Sequence, residues 1–134
     1  MKSLIVAILA IFALVGLVIG GLGGGFHRGS PTSAAIISAD LDLKSFESAL
    51  EQYKIASGAY PSEEQGLNAF VVRPKIAPLP DRWVQMYDEI EPDPWETPYR
   101  YHFPGKQNPT KPEIISAGPD KIFGTEDDLS NQDS

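Results

Sequence analysis

The 134-residue chain has no cysteine and only two histidines. The first absence excludes a disulfide framework, a thiolate metal site and a lipid-modified cysteine anchor. Basic charge is scarce as well: eleven Lys and Arg stand against eighteen Asp and Glu, a net charge of −7. That balance argues against nucleic acid or an anionic lipid surface as a partner. No Ser-His-Asp order and no paired carboxylates outside one acidic loop suggest catalysis, so no enzyme and no small-molecule substrate are expected. His27 and His102 read as an interfacial and a solvent-facing side chain.

What the chain does have is sharply divided. Residues 4–22, LIVAILAIFALVGLVIGGL, hold no charged or strongly polar side chain. As a helix they would reach roughly 28 Å, close to the roughly 30 Å of a bilayer core. Residues 1–25 are therefore expected to form an uncleaved membrane segment with the amino terminus inside. The glycine-rich stretch 20–31 follows the span, and residues 26–32 are assigned as a joint. The globular part is expected over 33–134.

Pro31 and Gly58 bracket a predicted helix from Thr32 or Ser33 to Ser57. Ile36, Ala39, Leu43, Phe46, Leu50 and Tyr53 recur in steps of three and four, an apolar stripe suited to packing on a small sheet. Asp40 with Lys44, and Glu51 with Lys54, are candidate ion pairs on its polar face. Ser62 and Gln65 form a capping box that predicts a short helix over 63–72. Trp83-Val84 and Met86-Tyr87 are candidates to touch the core. In the turn at 92–98, Trp95 is expected to plug it. Tyr99–Phe103 and Glu113–Ser116 read as two antiparallel strands. A third strand is placed either in 83–90 or after the acidic loop, and 130–134 as a frayed tail.

The acidic loop is Ser-Ala-Gly-Pro-Asp-Lys-Ile-Phe-Gly-Thr-Glu-Asp-Asp-Leu-Ser, residues 116–130. Two readings fit it. One is a solvated acidic turn. The other is a hard-cation site, because such ions take carboxylate and carbonyl oxygens. The spacing would let Asp120, Asp127 and Asp128 face one point.

Several motifs stand in one order: Ala49-Leu50…Tyr53-Lys54, Gly58-Ala59-Tyr60-Pro61, Glu64-Gln65-Gly66-Leu67, Asp93-Pro94-Trp95, Pro98-Tyr99…Tyr101, Pro104-Gly105, Ser116-Ala117-Gly118-Pro119-Asp120 and Gly124-Thr125-Glu126-Asp127-Asp128. Over residues 39–130 this order resembles the major pseudopilins of type II secretion systems. The resemblance implies an α+β, pilin-like fold: a membrane helix, an amphipathic helix on a small antiparallel sheet, and a C-terminal metal loop. It implies calcium (Ca2+), with side-chain ligands Asp120, Asp127 and Asp128, backbone carbonyls from Ala117, Thr125 and Ile122, and Glu126 turned to solvent. It also implies a single-pass protein of a bacterial inner membrane with a periplasmic domain. That protein would be a structural subunit of a secretion pseudopilus, associating with itself and with other secretion-system subunits.

One departure stands at the front. The family opens its apolar helix with Phe-Thr-Leu-x-Glu behind a cleavage-point glycine. Here residues 4–22 contain no acid, and Gly25-Phe26 runs into His27-Arg28. This supports a second expectation, a membrane-anchored calcium-binding interaction module, related to pseudopilins, that does not polymerise.

Overall fold

The structure is a computed structural model that describes residues 31–133. The apolar run 4–22, and the joint up to residue 30, lie outside the described residues. Among the described residues, no helix is long and apolar enough to cross a membrane.

Helix α1 spans Pro31–Ser57, so its first turn takes in the last two residues assigned to the joint. Its predicted stripe is buried from Ala39 onward: Ala39, Leu43, Phe46, Leu50 and Tyr53 are all nearly solvent-free, and Ala49 beside them is buried too. Ile36 departs from the stripe and is 39% exposed. The helix packs on the sheet through its later turns, and the turns before Ala39 run ahead of the core. The Asp40–Lys44 pair forms at 2.7 Å, on the open face. The Glu51–Lys54 pairing is replaced. Glu51 accepts the Tyr60 hydroxyl at 2.7 Å and meets Lys111 at 3.2 Å, while Lys54 lies 4.6 Å over the Tyr60 ring. The aromatic hydroxyl and a lysine distant in sequence out-compete a neighbour on the same helix. The Gly58 amide closes the helix on the Lys54 carbonyl at 2.9 Å.

The capping box forms as read. The Ser62 amide donates to Gln65 Oε1 at 2.9 Å, and the Gln65 amide donates to Ser62 Oγ at 3.2 Å. The helix behind it is shorter and tighter than expected, a 3-10 helix over Gly66–Phe70. Gly66 stands at φ +54, a left-handed conformation that breaks α-helical propagation from the cap. Gln65 does a second job. Its Nε2 donates to the carbonyls of Ile76 and Pro78, which fastens the proline-rich connection to the cap.

Strands β1 (Arg100–His102), β2 (Glu113–Ser116) and β3 (Leu129–Ser130) form one antiparallel sheet in the order β1-β2-β3. Tyr101 pairs Ile114, and Ser116 pairs Leu129. Of the two placements weighed for the third strand, the one after the acidic loop is realised. Residues 83–90 stay irregular but dock: Trp83, Met86, Tyr87 and Ile90 pack against the core, and Val84 is exposed. The Trp83 indole N–H donates to the Ala69 carbonyl at 2.8 Å. Trp95 is only half-buried, and the buried residue of its turn is Asp93, 3% exposed.

The C-terminal tail is tied down rather than frayed. The Asn131 amide donates to the Ile114 carbonyl, and its side-chain Oδ1 accepts the Ile114 amide at 2.7 Å, extending the sheet by one side-chain rung. Gln132 Oε1 accepts the amides of Gln107 and Asn108, and Nε2 reaches the carbonyls of Asn108, Lys111 and Pro112. Gln132→Ala therefore removes most of the bonds between the tail and the 105–112 loop, leaving Gln107 Nε2 to Asp133 at 2.6 Å and Asn131 Nδ2 to the Pro112 carbonyl at 3.3 Å. A loss of about 1–2 kcal/mol, read as a lower urea midpoint at unchanged slope, is expected. An unchanged midpoint would restore the frayed tail.

Candidate functional site: the acidic loop

β2 ends on Ser116 and β3 starts at Leu129, so the sheet register fixes both ends of the loop 117–128. Ala117 is fully buried and starts the loop from the core. Gly118, at φ +67, turns it and lies directly against the Asp127 carbonyl of the returning arm. The Lys121 amide closes the first turn on the Gly118 carbonyl at 3.1 Å.

The three aspartates organise backbone within the loop. Asp120 Oδ1 accepts the Ile122 amide at 2.7 Å. Asp127 Oδ2 accepts the Asp120 amide at 3.0 Å, and Asp127 Oδ1 accepts the Thr125 hydroxyl at 2.6 Å. Asp128 Oδ2 accepts the Gly124 amide at 2.7 Å. The Thr125 hydroxyl also reaches the Ile122 carbonyl at 3.0 Å. The Thr125 hydroxyl first, then the Asp120 amide, hold the Asp127 carboxyl below the usual carboxylate range, because both favour its charged form.

Among the described residues, no three His, Asp or Glu side chains are grouped to hold a metal ion. Each carboxylate is instead drawn to a different amide. One oxygen stands apart. Asp128 Oδ1 is buried and has no hydrogen-bond partner, a state shared among the described side chains only by the Tyr53 hydroxyl. A buried carboxylate oxygen without a donor is costly unless a cation meets it. Carboxylate and carbonyl oxygens are the donor set that calcium takes, and the loop supplies them in kind. Of the residues expected to lend carbonyls, Ala117 is buried and Ile122 is 61% exposed. Glu126 is exposed, as its place among neighbouring acids suggested.

The comparisons with known proteins bear on the whole of this architecture. The family described as type II secretion system (T2SS), protein G, matches residues 28–132. The chain belongs to this family. The type II secretion system core protein G of Pectobacterium carotovorum subsp. carotovorum is 36% identical over 134 residues, covering 96% of this chain and 80% of that protein. The core protein G of Pseudomonas aeruginosa is 36% identical over 109 residues, 78% of this chain and 75% of that protein. The crystal structure of the major pseudopilin from the type 2 secretion system of enterohaemorrhagic Escherichia coli superposes with a TM-score of 0.68 at 33% identity, covering 83% of this chain and 97% of that one. The resemblance to major pseudopilins holds, and the helix on a small antiparallel sheet is the pseudopilin fold.

For this protein G family member, two residues behind the loop stood in the sequence reading as motif members only, with no role assigned to either. Asp93 and Ser116 are both buried, and the Ser116 hydroxyl donates to Asp93 Oδ2 at 2.6 Å. The signal available was the Asp-Pro turn, since an aspartate at that place accepts amides two and four residues on.

Proposed function

We infer that the chain is a structural subunit of a type II secretion pseudopilus, working in protein secretion. The observation that carries this is the match to a major pseudopilin over 97% of that chain at 33% identity. In this reading residues 4–22 anchor the protein in a bacterial inner membrane and the domain described here stands in the periplasm. Its partners are copies of itself and other secretion-system subunits. Crosslinking the full chain in membranes tests it: a ladder of multimers is expected, and a chain that stays monomeric beside an assembled secretion system sinks it. That second outcome is the behaviour of the non-polymerising anchored module.

We further propose that calcium closes the acidic loop. Asp120, Asp127 and Asp128 would supply carboxylate oxygens, and the Ala117, Thr125 and Ile122 carbonyls the remainder. The bound ion would supply positive charge where the three acids repel one another. The uncompensated Asp128 Oδ1 supports this, as does the oxygen-only donor set. An ion that binds only the folded state stabilises it by mass action. With half-saturation at about 10⁻⁴ to 10⁻³ M, 10 mM calcium would add about 1.4–2.7 kcal/mol, or roughly 5–10 °C in melting temperature. Excess chelator should remove that increment, and Asp128→Ala should make the protein insensitive to calcium. Identical melting curves in calcium and chelator overturn the reading.

A further inference from the structure

The acidic loop is held from outside by a buried chain of hydrogen bonds. Asp93 is 3% exposed and sits in the Asp-Pro-Trp turn, 23 residues before β2 ends. Its Oδ1 accepts the amides of Trp95 at 3.0 Å and Thr97 at 2.8 Å, which fixes the turn. Its Oδ2 accepts the hydroxyl of the fully buried Ser116 at 2.6 Å. Ser116 Oγ in turn accepts the amide of Gly118 at 3.2 Å. Gly118 is the residue that presses on the Asp127 carbonyl. The chain therefore runs from a buried carboxylate, through one hydroxyl, to the turn where the two arms of the loop meet.

Each member has a physical reason to be there. A buried carboxylate must be met by donors, and Asp93 collects three. A short hydrogen bond to an ionised acceptor is stronger than a neutral one and fixes the Ser116 hydroxyl proton on Asp93. That orientation leaves the lone pairs of Ser116 Oγ for the Gly118 amide. Without the carboxylate the hydroxyl would be free to turn. A second, exposed contact joins the same two segments, Lys121 Nζ to Glu96 at 4.0 Å, and being solvent-screened it adds little.

We propose that Asp93, acting through the Ser116 hydroxyl, is a positioning residue for the acidic loop, so that the Asp-Pro-Trp turn sets the conformation of 117–128. The exchange arm of the test stands on the hydrogen bonds alone, and the calcium arm rests on the metal reading above.

Asp93→Asn keeps an oxygen for the Trp95 and Thr97 amides but turns the acceptor facing Ser116 into a donor. In the full chain in detergent, hydrogen exchange followed residue by residue should show the Gly118, Asp120, Ile122 and Gly124 amides exchanging about tenfold faster, the factor that one such hydrogen bond is worth. Trp95 and Thr97 should keep their protection. Half-saturating calcium, read from the melting temperature, should rise about 10- to 100-fold, the usual cost of losing a partner behind the ligands. The loss of melting temperature should be smaller in chelator than in calcium if the role is positional. An equal loss of stability with and without calcium, together with unchanged loop exchange, overturns the proposal. Ser116→Ala, which leaves Asp93 in place, should reproduce the loop effects if Asp93→Asn does not fold. The unsubstituted protein carries a test of its own. Its Gly118 amide should exchange with the slow amides of β2, and exchange at the rate of the solvent-facing turn overturns the proposal. If calcium leaves the unsubstituted protein unchanged, the metal reading fails and the exchange rates still decide the relay.

Discussion

Phe70→Ala is expected to lower the melting temperature by roughly 12 °C or more, the consequence of losing about 3–5 kcal/mol in a domain of about 100 residues. Phe70 is fully buried and heads the largest solvent-free side chains of the fold. Its ring lies 6.0 Å from Tyr53, edge-on, and 5.8 Å from Tyr87, stacked. Tyr53 belongs to α1 and Tyr87 to the irregular connection, so one ring joins two parts of the chain that no strand links. The Phe70 carbonyl also accepts the amides of Met86 at 2.9 Å and Tyr87 at 3.3 Å. Truncating the ring leaves a cavity whose walls are stiff aromatic side chains and cannot close on it. The change is followed by circular dichroism. Phe70→Leu, which keeps most of the apolar volume, should lose distinctly less. A drop of only a few degrees for the alanine variant would mean that the connection docks through other contacts.

Legibility in the sequence followed the range of the interaction. The stripe of α1, the Ser62–Gln65 capping box and the β2 strand are set by residues a few positions apart, and each was readable. The 3-10 helix at Gly66–Phe70 was not, because a glycine inside a helical pattern does not announce a φ of +54. Trp95 is the residue of its turn that the sequence puts forward as the core plug. Asp93 is buried instead because Ser116 meets it from 23 residues away, a partner that no local pattern names. The tail was read as frayed from its polarity, but Asn131 and Gln132 use that polarity to satisfy backbone groups of β2 and the 105–112 loop. In the acidic loop the residues were legible and their arrangement was not. Three aspartates suggest convergence on a point, but not that each carboxylate accepts a backbone amide of the same loop.

Gly118→Ala should be the most damaging substitution in the loop, about 3 kcal/mol or more by summing two costs. The first is conformational. A side chain at φ +67 costs about 1–2 kcal/mol, because its Cβ crowds the following carbonyl. The second is steric and specific to this place. The added Cβ would meet the Asp127 carbonyl oxygen and carbon, which are backbone, with Asp127 Oδ2 at 3.2 Å close behind. Asp127 cannot step aside cheaply, since its carboxylate holds the Asp120 amide and the Thr125 hydroxyl. Gly66→Ala isolates the first cost: its φ is also positive, at +54, yet nothing lies within 4 Å of the added carbon. Thermal melting in chelator should therefore show a fall of roughly 4–8 °C for Gly66→Ala and roughly 12 °C or more for Gly118→Ala. Only the Gly118 variant should also lose its response to calcium, because the arms carrying Asp120 and Asp127 would be pushed apart. Equal losses in the two variants would show that the arms do not touch at Gly118. The close approach of these arms, more than the charge on the loop, would then cease to explain how three acids are held within one short turn.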